Sequence, residues 1–154
     1  MNFANVKVDF LGHAGFLFSF KGKTVVVDPY RVSDAVPKAD IILITHGHSD
    51  HCSIKDVQKL AKLGTTVMCP VDCQSTMLKI KGINIEIVEV GDAINLGFAQ
   101  VECVNAYNLT NARHPKQEGW LGYVLKFGTN IFYLAGDTDH IPEMQKLSGY
   151  GKRE

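Results

Sequence analysis

Short apolar runs separated by polar turns make up the first third of the chain. Residues 6–11 alternate loosely between apolar and polar positions, and the apolar runs 15–20 and 24–27 flank a Lys-Gly-Lys turn, which predicts a β-hairpin. Residues 41–44 are apolar throughout and polar residues follow them, as in a strand that is buried on both faces. This part of the chain is therefore predicted to form strands.

Helix signals appear in the middle of the chain. Ser53 with Asp56 three residues later predicts a helix start, the apolar residues within 54–61 share one face, and Gly64 is a typical stop. A second helix is predicted at 70–79, with Pro70 in its opening turn.

Strand signals surround these helices. Strands are predicted at 65–69, 84–90, 99–104, 122–127 and 131–135, the last two joined by a hairpin turn at 128–130, and a last helix is predicted at 141–147. This order is typical of a layered domain of mixed α/β or α+β class.

Composition narrows the classes of function. The 154 residues carry 16 basic and 16 acidic side chains without a basic stripe, which argues against a nucleic-acid or anionic-membrane partner. The apolar runs, such as 41–44, are far shorter than the roughly 20 residues of a membrane span, and the first residues lack a signal-peptide pattern. We expect one cytoplasmic domain spanning residues 1–154. Its four cysteines lack paired zinc spacing and are expected to be buried free thiols.

A dense cluster of metal-ligand residue types follows the buried strand that is predicted at 41–45. His46, His48, Asp50 and His51 lie within six residues, on a loop that leaves a strand end. Imidazole nitrogen and carboxylate oxygen suit zinc, manganese or iron. Histidines two residues apart can face one ion, and the Asp-His pair can reach a second ion, as binuclear hydrolytic sites require. The alternative is a solvated polar loop.

The pattern His-x-His-x-Asp-His after a strand resembles the metallo-β-lactamase superfamily. Segments 11–16 and 26–29 resemble the first strands of its metal-dependent hydrolase branch, similar to the L-ascorbate-6-phosphate lactonase-like proteins, and Gly136-Asp137-Thr138 resembles that branch's Gly-Asp-Thr segment. The resemblance implies an α+β fold, a metallo-β-lactamase-like αββα sandwich, of which this chain lacks most of the C-terminal half.

The resemblance also implies ligand roles. His46 and His48 would hold the first metal, Asp50 and His51 the second, and Asp137 would bridge both; a carboxylate at the end of strand 131–135 is also well placed for this on physical grounds. The family's further first-metal histidine falls near Asn108, where the available histidine is His114; we expect His114 to serve, with the carbonyl of Asn108 as the alternative.

The sequence leaves the roles of several residues undecided. Asp28 either holds the metal loop by hydrogen bonds or opens a turn before Pro29, and His13 either approaches the site or is structural. Trp120 and Tyr123 are expected to pack in the core, with a substrate-pocket wall as the alternative. The family's final histidine, on a later strand, has no counterpart after Asp137, so the chain is a fragment, the site is incomplete, or a partner subunit completes it.

The function expected from these residues is metal-dependent hydrolysis. A metal-bound hydroxide would attack a small ester, lactone or phosphate-bearing substrate, and Asp50 would orient it or accept its proton. One or two divalent ions are expected, zinc first, with manganese or iron as alternatives. The competing hypothesis is a non-catalytic metal-binding domain, either a homo-oligomer or a subunit that needs a completing partner. A nuclease would need a basic channel, and a redox di-iron protein would need a flavin partner and carboxylate-rich ligation.

Overall fold

The computed structural model describes residues 1–3 and 5–151, and within them the strands form two sheets. The first sheet has seven strands in chain order: β1 (Asn2–Phe3), β2 (Val6–Gly12), β3 (Gly15–Phe20), β4 (Lys23–Val27), β5 (Ile41–Leu43), β6 (Thr66–Cys69) and β7 (Asn84–Ile87). Strands β1 to β4 are antiparallel, whereas β4 to β7 are parallel.

The second sheet is antiparallel and has four strands. It consists of β8 (Ala93–Asn95), β9 (Gln100–Asn105), β10 (Leu121–Phe127) and β11 (Asn130–Leu134), in the order β11-β10-β9-β8. The hairpins predicted at 21–23 and 128–130 are both present.

The two sheets pack face to face over the main core. Alternate residues of β3 and β4, such as Phe18 and Val25, meet Tyr123, Leu125 and Phe127 of β10, and each is 1 % exposed or less. Burying aromatic and β-branched side chains on the facing sides of two sheets is the main stabilising term of such a sandwich. The predicted core position of Tyr123 is confirmed.

A second core covers the outer face of the first sheet. Leu17, Val26 and Ile42 pack there against Val57 and Leu60 of helix α1 (Ile54–Leu60). Ser53 caps this helix by accepting a hydrogen bond from the Asp56 N–H at 3.4 Å. The four cysteines are buried free thiols, as predicted.

The helices differ in length or type from those that the sequence predicts. Helix α1 ends at Leu60 and not near Gly64, because Ala61 is already extended. The helix predicted at 70–79 is a 3₁₀ turn, Val71–Cys73, followed by α2 (Gln74–Met77), and the one predicted at 141–147 is a 3₁₀ segment, Pro142–Gly151, against the outer face of the second sheet. In the described part of the chain, no helix is long and apolar enough to cross a membrane.

Both sheets send loops to one edge of the sandwich. Parallel strands β4, β5 and β6 end at the same edge, so Asp28, the 45–51 loop and Asp72 follow them there. Strands β9 and β11 flank β10 and run antiparallel to it, so the segments after Asn105 and Leu134 leave together. The Leu121 N–H donates to the Thr45 carbonyl at 3.0 Å and joins the second sheet to the first at this edge.

Candidate metal centre

A buried carboxylate, Asp28, anchors one side of the edge. It is 1 % exposed and has a left-handed backbone, with φ of 42°. Its oxygens accept hydrogen bonds from the Thr45 N–H at 2.8 Å, the Thr45 hydroxyl at 2.6 Å and His51 Nδ1 at 2.8 Å. The structure therefore places Asp28 as the residue that holds the metal loop by hydrogen bonds, the first of the two alternatives left open by the sequence.

These bonds orient two imidazole rings. The Thr45 hydroxyl gives its hydrogen to Asp28, so it accepts one from His46 Nδ1 at 2.9 Å. With Nδ1 of both His46 and His51 donating, each ring keeps an Nε2 lone pair. Both Nε2 atoms are buried and have no hydrogen-bond partner among the described residues. Because a buried nitrogen without a partner is costly, this arrangement fits a bound metal ion.

The pKa values of these two rings shift in opposite directions. Burial, together with the neighbouring imidazoles of His51, His48 and His114, lowers the pKa of His46 from 6.5 to about 3, so the ring is neutral at pH 7. Burial also lowers the pKa of His51, but the hydrogen bond and charge of Asp28, with the charges of Asp137 and Asp50, outweigh it and raise the pKa above 6.5.

Asp72 supports the turn between His46 and His48. One of its oxygens, Oδ2, accepts hydrogen bonds from the Gly47 N–H at 3.0 Å and from Trp120 Nε1 at 2.8 Å. A Cβ at Gly47 would lie 2.5 Å from this oxygen, so any other residue would displace the Asp72 carboxylate from its present position. Trp120 packs within 5.1 Å, ring to ring, of His46, His48 and His114, so it is a wall of the cluster.

His114 is turned inward by its loop. The Asn108 N–H donates to the His114 carbonyl at 2.7 Å, while the Asn108 side chain donates to Asp139 at 3.0 Å. His114 is 9 % exposed, and its Nε2 lies 3.6 Å from Oδ2 of Asp137. Burial lowers the pKa of His114, partly opposed by the charge of Asp137. Of the two residues considered for this place, the structure brings in His114 and uses Asn108 to fasten the loop.

The Asp137 carboxylate lies between the imidazoles. Gly136 before it has φ of 65°, and a Cβ there would lie 2.7 Å from the Leu121 carbonyl oxygen, so glycine lets this turn pack tightly. Asp137 Oδ1 lies 3.4 Å from His51 Nε2, whereas Oδ2 lies 3.9 Å from His46 Nε2 and 3.6 Å from His114 Nε2. Its two oxygens thus face different histidines.

Asp50 occupies the outer side of the cluster. Its side chain is 42 % exposed, and Oδ2 lies 3.0 Å from His13 Nε2. Burial raises the pKa of this carboxyl, but its backbone hydrogen bond and the charges of His51 and His13 outweigh that effect and lower the pKa below 3.8. Asp50 is therefore ionised at neutral pH.

Together these residues form three overlapping donor groups. In each group, one ligand atom per residue lies within 4.8 Å of the others. The first group is His46, His48 and His114, the second is His46, His51 and Asp137, and the third is His13, Asp50 and His51. Ligands bonded to one zinc ion at about 2.0–2.2 Å lie roughly 3–3.5 Å apart, close to the shorter separations here. The donor set therefore fits one or two divalent ions. All six residues predicted as ligands are in the cluster, and their roles as ligands stay predictions.

Sequence reasoning missed two supporting carboxylates. Asp72 follows a parallel strand, as Asp28 does, and this shared placement is a signal that could have identified it. Glu143 accepts hydrogen bonds from Tyr107 at 2.8 Å and Lys116 at 2.6 Å, bracing the loop that carries His114. No local pattern marks Glu143, because its partners lie 36 and 27 residues away.

Comparison with known sequences gives a family match and long alignments. A family model described as a beta-lactamase superfamily domain matches residues 7–152. A UPF0173 metal-dependent hydrolase of Thermoplasma acidophilum is 31 % identical over 155 residues, covering 93 % of this chain and 65 % of the relative. A second, from Paracoccus denitrificans, is 29 % identical and covers 94 % of this chain and 69 % of the relative. The chain thus spans about two thirds of the length of these relatives.

Solved structures share the architecture. A protein of Parabacteroides distasonis, provisionally described as a metal-dependent hydrolase, is 32 % identical, with a TM-score of 0.82 over 92 % of this chain and 64 % of that one. CmlA, a diiron β-hydroxylase of Streptomyces venezuelae, has a TM-score of 0.75 over 94 % of this chain and 32 % of that chain, at 18 % identity, and shows the fold alone. The predicted α+β, metallo-β-lactamase-like fold is confirmed. The finer resemblance to L-ascorbate-6-phosphate lactonase-like proteins stays a prediction.

Proposed function

The chain belongs to the beta-lactamase superfamily, and on that premise we propose that it is a metal-dependent hydrolase of a small ester, lactone or phosphate-bearing substrate. The names of its relatives support the reaction class, and the zero net charge without a basic stripe supports a small substrate rather than a polyanion. A fold alone would not carry this proposal, because CmlA shares the fold and is a hydroxylase.

The observation that carries the proposal is the position of the Asp137 carboxylate, whose two oxygens face different histidines. Its Oδ1 faces His51 and its Oδ2 faces His46 and His114. A carboxylate with one oxygen toward each of two histidine groups is placed to serve two ions a few ångströms apart, the arrangement of binuclear hydrolytic sites.

The cluster divides into two donor sets around this carboxylate. His46, His48 and His114 would hold the first ion, Asp50 and His51 the second, and Asp137 both. When bound, the metal supplies an acidified water and a positive charge for the oxygen that becomes negative during attack. Zinc suits this mixed nitrogen and oxygen set, and manganese or iron would also be accepted.

The protein's own groups position the reacting parts. Asp28 and Thr45 hold the His46 and His51 rings with Nε2 inward before any ligand arrives. Asp50, which is ionised and partly exposed, has Oδ2 bound to His13 and lies beside His51, so its carboxylate would orient the attacking water or accept its proton. Trp120 excludes water from behind the histidines.

Hydrolysis by the 154-residue chain tests the proposal. Zinc or manganese is added to metal-free protein while turnover of a nitrophenyl ester, a lactone and a bis-nitrophenyl phosphate is followed. We expect turnover that requires metal and falls at least about tenfold in Asp137→Asn. The control, His140→Ala, changes an exposed histidine outside the donor groups found in the described residues.

The same experiment addresses the competing hypothesis. Tight metal binding without turnover of any of the three substrates would contradict the proposal and favour a non-catalytic metal-binding domain. In that case Asp137→Asn would weaken metal binding, and neither the variant nor the unsubstituted chain would hydrolyse any of the three substrates.

A further inference from the structure

His13 holds an unusual backbone conformation beside the cluster. It lies in the turn between β2 and β3, where the strand register shifts between Phe10 and Gly12, and its φ is 52°. Non-glycine residues adopt this left-handed region rarely and at some cost. Register shifts of this kind commonly redirect a side chain next to an active site.

The redirected ring faces the second donor set. His13 Nε2 lies 3.0 Å from Asp50 Oδ2, and the rings of His13 and His51 are 5.2 Å apart. Ligand atoms of His13, Asp50 and His51 lie within 4.8 Å of one another. Tyr30 packs on the other side of the His13 ring at 5.4 Å, and this contact limits the positions the ring can take.

The second donor set needs another ligand. Asp50 and His51, with Asp137 as the proposed shared ligand, would offer two carboxylates and one imidazole, whereas zinc commonly takes four ligands. His51 Nε2 is buried and without a hydrogen-bond partner in the described residues, so it can bind an ion, and the ligand atoms of His13 and Asp50 are close enough to share that ion.

We propose that His13 is a ligand of the second metal ion, beside Asp50, His51 and Asp137. The inference rests on the proposed function only in requiring that a divalent metal binds the cluster. An imidazole in place of another oxygen would favour zinc over magnesium or calcium at this position, because imidazole suits transition metals and hard ions prefer oxygen.

A positioning role would give a different result. If His13 only orients Asp50 through their hydrogen bond, its ring nitrogens would keep the resonances of an unbound imidazole in the zinc-loaded protein. A ligand instead has one ring nitrogen with the resonance of a zinc-bound imidazole, and that signal disappears only when His13 is replaced.

The experiment combines zinc stoichiometry with nitrogen NMR of the ¹⁵N-histidine-labelled chain. The variant His13→Asn is used because asparagine tolerates positive φ and retains a hydrogen-bonding group toward Asp50. We expect the second equivalent of zinc to bind at least about tenfold more weakly in His13→Asn, while the first is unchanged. His140→Ala is the matched control and should bind zinc as the unsubstituted chain does.

The outcomes separate this inference from the hydrolase proposal, since neither readout depends on turnover. A zinc-bound nitrogen signal assigned to His13, together with the loss in His13→Asn, supports the inference even in an inactive protein. It is overturned by an unbound His13 resonance at saturating zinc, by unchanged affinity for the second equivalent, or by a chain that binds one equivalent only. Thermal unfolding of the metal-free variants shows whether both are folded.

Discussion

The two sides of the metal cluster are built differently. The side from the first sheet rests on Asp28, Thr45, His46 and His51, which are all 1 % exposed and joined by a continuous hydrogen-bond network. The side from the second sheet carries His114 and Asp137, whose side chain is 44 % exposed. Loop 106–116 on that side is held by Asp139 and Glu143, near the surface.

The difference indicates which side is pre-organised. Hydrogen bonds in a dry core are stronger and leave one ring orientation, whereas exposed ion pairs contribute little. We infer that the first sheet provides rings already oriented for metal, and that the second sheet closes the cluster and leaves Asp137 open to substrate. Substitutions on the two sides should therefore differ in size and kind.

The largest losses of stability and metal affinity are expected for Asp28→Asn. Asparagine tolerates the positive φ at this position but removes the carboxylate charge that accepts hydrogen bonds from His51 and Thr45. Because breaking a buried ionic network costs about 3–5 kcal/mol, the free energy of unfolding should fall by about that amount. Metal affinity should fall about 10- to 100-fold, because the rings lose their orientation. Denaturant unfolding of the metal-free protein and zinc titration measure both quantities.

The control for Asp28→Asn is Asp34→Asn. Asp34 is 93 % exposed, so its substitution should change the free energy of unfolding by about 0.5 kcal/mol or less. Equal effects of the two substitutions would show that the Asp28 network does not anchor the site.

A smaller, local effect is expected for Gly47→Ala. The new Cβ would displace the Asp72 carboxylate from the Gly47 N–H and from Trp120 Nε1. Since a movable side-chain end yields, stability should fall by only about 1 kcal/mol, while affinity for the first zinc ion falls about tenfold. Gly149→Ala is the control, because a Cβ there meets nothing within 4 Å. Equal zinc affinity in both variants would contradict the role given to Asp72.

The smallest effect is expected for Glu143→Gln on the second side. Zinc affinity should fall less than about tenfold, since the contacts of Glu143 lie at or near the surface and away from the donor groups, but hydrogen exchange in loop 106–116 should accelerate. Glu118→Gln, an exposed change in the same region, should leave exchange unaltered. A loss of affinity as large as that of Asp28→Asn would refute the contrast between the two sides.

The pH dependence of the Glu143 contact sharpens this prediction. The Lys116 hydrogen bond is the main cause that lowers the pKa of Glu143 from 4.5 to about 2. Because the folded pKa is depressed, the stabilising contact is fully present above 4.5 and is lost as the pH falls towards 2. Carboxyl NMR titration should show the low midpoint, and Lys116→Gln should move it back towards 4.5.

Local patterns predicted the parts of the fold that have local causes. Apolar runs located the strands around Phe18, Ile42 and Leu125, and the spacing from His46 to His51 located the metal loop. The two-residue β1 and three-residue β8 were not predicted, since such short strands have almost no pattern.

Positions set by distant contacts could not be predicted from the sequence. The inward turn of His114 depends on bonds from Asn108 to both His114 and Asp139, and Asp72 meets partners 25 and 48 residues away. Helix α1 stops early because the Lys62 N–H donates to the Thr65 hydroxyl instead of continuing the helix, and that hydroxyl is held by the Ala39 carbonyl, 26 residues away. These choices are made by tertiary structure, which outweighs helix propensity.

The tautomers of His46 and His51 in the metal-free protein test the central claim most directly. Long-range ¹H–¹⁵N NMR at mildly alkaline pH, where imidazoles are neutral, distinguishes the two ring nitrogens. The account predicts a proton on Nδ1 of both rings, held by Thr45 and Asp28, and a shift of both Nε2 resonances when zinc is added. A proton on Nε2 of either ring, or Nε2 resonances that do not respond to saturating zinc, would contradict it.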